Sequence, residues 1–266
     1  MSVDVHHTLE GPDGAPVVVF SNSLGTRGEM WNAQAAALSD RLRVLRYDTR
    51  GHGDSPAPPG PYSVADLGRD VLALLDRLEL ERVSFCGLSI GGMIGMWLGV
   101  NAPERIDRLV ICCTAMQLPP SSMWTERAAQ VRAEGMGSVI DATMERWFTP
   151  EFPERNPETI ERIRKTFIST PPEGYAGCCE ALAEFDMRGQ LVDVAAPTLV
   201  IAGEDDPVGT PERAGTIGEE IEGSTVVVLP GARHLAAVEK ADEVTRELEQ
   251  HLGQHQTGRA NARPRI

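Results

Sequence analysis

A chain of 266 residues, 41% of them apolar, can build one large α/β domain or a core with an inserted sub-domain. Its 25 basic against 39 acidic side chains leave a formal net charge of −14, which argues against nucleic acid and anionic membrane as partners. With no basic and apolar leader at Met1 to His7, and no apolar run of bilayer-spanning length, the expectation is a cytoplasmic protein.

Residues 3–10 and Val17 to Phe20 predict two strands joined by the turn-rich Gly11-Pro12-Asp13-Gly14. Without nearby Cys, Asp or His partners, His6 and His7 read as edge-strand residues and not as metal ligands. A small polar loop, Ser21 to Thr26, precedes a helix from Met30 to about Leu38. Arg43 to Tyr47 is the next strand, closed by Asp48-Thr49-Arg50-Gly51-His52-Gly53-Asp54-Ser55. Ser63-Val64-Ala65-Asp66 predicts a capped helix start, with an acid three residues after the cap. Val64, Leu67, Val71, Leu74 and Leu78 then recur at helical spacing, so one face of that helix packs on a sheet.

Val83-Ser84-Phe85-Cys86-Gly87-Leu88-Ser89-Ile90-Gly91-Gly92 organises the chain: an apolar strand, a sharp Gly-x-Ser-x-Gly turn, and an apolar helix to about Asn101. This is the layout of a nucleophile elbow, which exposes a serine hydroxyl at the top of a sheet. Gly87 and Gly91 are required because side chains there would collide as strand and helix pack around the turn. Pro103 stops the helix, and Arg108 to Cys113 is another strand. This alternation predicts parallel βαβ units with right-handed crossovers.

From about Gln117 to Asp193 the pattern changes to four short helical segments separated by prolines. Seven of the thirteen aromatics (six Phe, four Trp, three Tyr) fall here, where an even spread would give about four. The expected organisation is therefore a core of 1–116 and 194–252, a helical cap over 117–193, and a polar, disordered tail over 253–266. Alternation resumes with strands at Thr198 to Ala202 and Thr225 to Leu229 and a last helix from about Leu235 to Leu252.

A serine nucleophile needs an imidazole to take its proton and a carboxylate to orient that ring. Elbow-type folds place these in the chain order Ser, acid, His, which excludes His6, His7 and His52. His251 and His255 lie at or beyond the end of the last helix, so His234, on the loop after the last strand, remains. The acid comes from Gly203-Glu204-Asp205-Asp206-Pro207, where three adjacent carboxylates repel unless one turns inward; Asp206 is favoured and Asp205 is the alternative. The backbone N–H of Ile90, at a helix N-terminus, and that of Leu24 are the expected oxyanion donors. No His-Glu-x-x-His, P-loop lysine or dinucleotide fingerprint is present, so neither metal nor nucleotide cofactor is expected. The five cysteines (86, 112, 113, 178, 179) lack Cys-x-x-Cys spacing and read as buried, reduced thiols.

These features together resemble the α/β-hydrolase superfamily from residue 3 to about 252. Several stretches closely resemble the 3-oxoadipate enol-lactonases: Ser21 to Thr26, Arg46 to Gly53, Cys86 to Gly92, Glu145-Arg146-Trp147-Phe148-Thr149-Pro150, and Gly174-Tyr175-Ala176-Gly177-Cys178-Cys179. The last two lie in the expected cap, where related hydrolases usually diverge. The resemblance implies an α/β-hydrolase fold and cofactor-free hydrolysis of an anionic lactone in aromatic-acid catabolism. Ser89 would attack the lactone carbonyl, His234 would take its proton, and the Leu24 and Ile90 amides would hold the oxyanion. A substrate carboxylate needs a local cation, for which Arg127, Arg132, Arg146 and Arg233 are candidates; Trp124 and Trp147 join Arg127 and Arg146 as candidate substrate-binding residues. A general carboxylesterase or cofactor-free perhydrolase would share the triad, and a ligand receptor on the same scaffold would be expected to have lost it.

Overall fold

In the computed structural model, which describes residues 2–253, seven strands form one sheet: β1 (His7–Glu10), β2 (Val17–Ser21), β3 (Arg43–Tyr47), β4 (Val83–Leu88), β5 (Ile106–Cys112), β6 (Thr198–Gly203) and β7 (Thr225–Leu229). Their order is β1-β3-β2-β4-β5-β6-β7, and all pairs are parallel except β1 with β3. β2, β4 and β6 are buried on both faces, which is why they read as continuous apolar runs and not as alternating ones. The chain goes from β2 outward to β3 and returns to β4 on the other side. The loops after β2 and β4 therefore part at a switch point, where open parallel sheets form their ligand crevice.

The first strand is shorter than the sequence suggests and pairs with β3, not β2. Residues before it are held by side chains: the Val3 amide donates to Asp70 Oδ1 at 2.8 Å and the His6 amide to Ser55 Oγ at 2.9 Å. His7 opens β1 at the sheet edge, whereas His6 lies just outside it.

Helices cover the sheet: α1 (Asn32–Leu38), α2 (Val64–Arg77) and α3 (Ile90–Asn101). A single 3-10 turn, Gly28–Trp31, takes the start of the first predicted helix. In α2 the Ser63 and Asp66 side chains cap each other's backbone amides, and Leu67, Val71, Leu74 and Leu75 are buried.

Between β5 and β6 the described chain carries five helices, not the four expected: α4 (Ser121–Glu134), α5 (Ile140–Trp147), α6 (Glu151–Arg155), α7 (Pro157–Ser169) and α8 (Pro172–Glu184). Pro150 and Pro157 leave room for one extra short helix, since proline is tolerated in a first turn, where its missing N–H would have no partner. The chain closes with α9 (Pro211–Glu220), α10 (Ala236–Glu239) and α11 (Ala241–Gly253). The single last helix of the sequence reading is thus two. The break falls at Lys240 (φ −124°, ψ 50°), and buried Gln34 donates Nε2 to Ala237 O (3.0 Å) and Ala241 O (3.2 Å) across it. Of the expected tail over 253–266, Gly253 ends α11 and the rest lies outside the described residues. Among the described residues no helix is long and apolar enough to cross a membrane.

Candidate active site

Ser89 sits between β4 and α3 with φ +59° and ψ −120°, a backbone region that non-glycine residues occupy only when their surroundings enforce it. Two bonds do so: its amide donates to Cys112 O in β5 (2.9 Å) and its carbonyl accepts from the Met93 amide (3.1 Å). The flanking glycines are sterically obligatory, as the sequence reading argued. A Cβ at Gly87 would lie 2.0 Å from Gly91 O, and one at Gly91 would lie 2.5 Å from Ser21 O. Ile90 begins α3, so its N–H is one of the amides a helix leaves without an internal partner.

The acidic loop after β6 resolves its three charges by direction. Asp206 turns inward, where its Oδ2 and Oδ1 lie 3.0 and 3.1 Å from His234 Nδ1, and Oδ1 also accepts from the Val208 amide at 2.8 Å. Glu204 reaches outward to the Gly231 amide (2.9 Å), and Asp205 is exposed. The loops after β6 and β7 touch so closely that a Cβ on Gly203 would meet Ala232 O at 2.4 Å, which is what brings Asp206 to His234. An ionised carboxylate only accepts, so Nδ1 donates and Nε2 is the free acceptor of the ring.

Ser89 and His234 line one cavity of about 230 Å³ together with Ser23 and Leu24 from the loop after β2. Trp124, Arg127, Arg146 and Trp147 all face it, so the four candidate substrate contacts converge there. Arg127 donates Nε to Tyr175 Oη (2.7 Å) and a terminal nitrogen to Thr143 Oγ1; Arg146 reaches the same Thr143 oxygen at 3.5 Å. Neither arginine forms an ion pair among the described residues. Burial, then the charge of Arg127, pushes the Arg146 guanidinium down. Burial pushes the Tyr175 phenol far up, so it stays a neutral hydroxyl that can accept from Arg127. The other two arginine candidates are spent elsewhere: Arg132 pairs with Glu173 (2.8 Å) and Glu180, and Arg233 donates to the carbonyls of Glu145 and Phe148. Arg213, from the first turn of α9, also lines the cavity, and nothing in its sequence context signals that.

His52, set aside by chain order, supports the Leu24 loop. Its Nε2 accepts from the Gly25 amide at 2.9 Å while Nδ1 faces Arg50 O at 3.2 Å, and burial pushes the ring down to about 4, so it is a neutral acceptor. Gly25 (φ +81°) lies under the rings of Phe167 and Tyr175, 2.6 and 3.2 Å from where its Cβ would be.

The one group of side chains with metal-ligand chemistry among the described residues is His6, Asp48 and Asp54, a clustering invisible in the sequence. Asp48 already accepts from the amides of Gly28 (2.9 Å) and Asp54 (3.0 Å), so it serves as the cap of its own loop. A larger hollow of about 880 Å³, beside α6, α7 and α10, contains none of Ser89, Asp206 and His234.

The family model described as the alpha/beta hydrolase fold matches residues 16–241. The chain is 43% identical to 3-oxoadipate enol-lactonase 2 of Acinetobacter baylyi over 90% of this chain and 89% of that one. It is 37% identical to 3-oxoadipate enol-lactonase 1 of the same organism over 88% of each. The crystal structure of the enol-lactonase from Burkholderia xenovorans superposes with a TM-score of 0.92 at 42% identity, covering 94% of this chain and 96% of that one.

Proposed function

The chain belongs to the α/β-hydrolase fold family, and from that premise we propose that it opens 3-oxoadipate enol-lactone to 3-oxoadipate. The observation that carries the reading is one cavity holding Ser89, His234 and three arginines, Arg127, Arg146 and Arg213, none of them ion-paired among the described residues. A half-buried cation without a counter-charge carries a cost, and a substrate carboxylate would supply the missing charge. It would also offset the repulsion an anion meets from a chain at −14.

In this mechanism His234 Nε2 takes the Ser89 proton as Oγ bonds to the lactone carbonyl carbon. Asp206 holds the ring through Nδ1 and stabilises the imidazolium. The oxyanion is held by the amides of Ile90 and Leu24, the first of them at a helix N-terminus. When the ring C–O bond breaks, the leaving oxygen departs as an enolate, which takes the His234 proton and becomes the ketone. Water, deprotonated by His234, then cleaves the acyl-enzyme, releasing the new carboxylate and returning the proton to Ser89. The chemistry needs no metal or organic cofactor. Helices α4 to α8 act as the cap that sets substrate choice, and Trp124 and Trp147 supply its apolar wall. The net charge supports a partner set without nucleic acid or membrane, and five free, buried cysteines support a reducing, cytoplasmic setting.

The test is kcat/KM for the enol-lactone, its carboxylate methyl ester and p-nitrophenyl acetate. A site built to pair a carboxylate rejects analogues that leave its buried donors unpaired, so methylation should cost more than about 10²-fold. Equal turnover of the methyl ester would reassign the protein as a general esterase.

A further inference from the structure

The two residues that flank His234, Arg233 and Leu235, are tied to the chain segment that ends α5. The Glu239 carboxylate divides its oxygens between the two segments: Oε2 accepts from the Arg233 amide (2.7 Å), while Oε1 accepts from the Thr149 amide (2.7 Å) and Thr149 Oγ1 (2.6 Å). Beside this bridge the Leu235 amide donates to Trp147 O at 3.0 Å, and the Arg233 guanidinium donates to the Glu145 and Phe148 carbonyls. The residue before His234, the residue after it and the first helix of its loop are therefore laced to residues 145–149. Arg146 and Trp147, in that segment, face the cavity.

We propose that Glu239 is a positioning residue that fixes His234 and the cavity wall at the end of α5 as one unit, so that the base keeps its register with Ser89. The inference rests on the reading of His234 as the base that activates Ser89. A carboxylate suits this place because it offers acceptors on two oxygens and no donor, and three donors converge on it. Glutamine keeps the shape but offers one carbonyl oxygen, and its NH₂ would face an N–H on the other side. The bridge can then hold one segment or the other, not both. A loop freed in this way displaces the imidazole, and misplacement by about 1 Å costs catalysis about 10²-fold.

The test compares full-length wild type, Glu239→Gln and Thr149→Val. It reads kcat and KM for p-nitrophenyl acetate, the rate of Ser89 labelling by a fluorophosphonate, and Tm. Neither probe carries a carboxylate, so the outcome does not depend on which ester is the natural substrate. In Glu239→Gln, kcat and the labelling rate should fall together by about 10- to 10²-fold while KM stays within about threefold. A drop in Tm with kcat and labelling within about twofold of wild type would overturn the proposal, because a purely structural tie lowers stability without slowing the folded enzyme. Should the Gln variant not accumulate as folded protein, Thr149→Val, which removes one donor of three, carries the test. A loss of about threefold in both rates is expected there, and unchanged rates would overturn the bridge. Labelling that survives Ser89→Ala would instead overturn the serine reading, and this inference with it.

Discussion

Asp205 and Asp206 are adjacent, identical in chemistry and opposite in surroundings. Asp206 is 3% exposed with both oxygens near His234 Nδ1, whereas Asp205 faces solvent and contributes its amide to Ala232 O at 2.9 Å. If the inward carboxylate orients the base, Asp206→Asn should lower kcat by about 10³–10⁴-fold, since the amide can present a donor to Nδ1 and favour the wrong tautomer. Asp205→Asn should stay within about threefold, because a solvated charge at the surface contributes little. Steady-state kinetics on purified variants decides between them, and a larger loss at Asp205 would reverse the assignment. Chain order and the scarcity of histidine single out Ser89 and His234 as candidates, and the structure brings both to one cavity. Which of two neighbouring acids turns inward depends on the Gly203–Ala232 contact, and the partnership of His52 with Gly25 spans 27 positions. Arg213 was illegible for the same reason: its place at the cavity comes from the packing of α9, and one arginine after a proline carries no pattern.

At the scale of elements, boundaries follow local chemistry and docking follows close approaches of backbone. The Ser63–Asp66 capping box and the Gly-x-Ser-x-Gly turn lie within a few residues, so α2 and the elbow were readable directly. The extra helix α6 was not, because its five residues make little more than one turn, nor was the break at Lys240, which a distant partner, Gln34, spans with two hydrogen bonds. Gly174, in the first turn of α8, is a docking point of this kind. A Cβ there would lie 2.3 Å from Gly51 Cα and from Gly51 O, backbone atoms that cannot rotate away. Gly174→Ala should therefore lift the start of α8 off the turn that carries His52, moving Tyr175 and the Arg127 it holds. Overpacking of this sort costs about 1–3 kcal/mol. A lower Tm together with a KM for the enol-lactone raised by about tenfold is expected. An unchanged KM would show that α8 does not set the cavity wall.

Across the whole molecule, stability against pH falls to one buried imidazole more than to the surface charges. His52 is fully enclosed; burial pushes it down to about 4, and the Arg50 carbonyl and the Asp48 charge oppose that without cancelling it. In the unfolded chain the same ring titrates near 6.5. Above that value both states are neutral and the ring adds no pH dependence. As pH falls from about 6.5 toward 4 the unfolded chain binds a proton that the folded chain refuses, so stability drops by about 1.4 kcal/mol per unit, or about 3 kcal/mol in all. Carboxylates held low by arginines, such as Glu173 at about 2 beside Arg132, act in the same direction but at more acid pH, and Glu173 is exposed enough for solvent to screen it. Between pH 7 and pH 5, the difference between the wild type and a variant lacking this ring therefore isolates the imidazole. Urea denaturation of the wild type should show a loss of about 2 kcal/mol between those values. His52→Gln keeps an acceptor for the Gly25 amide but has nothing to titrate, so it should lose less than half as much. Equal losses in the two proteins would mean that His52 is not the neutral, buried support of the Leu24 loop that its contacts describe.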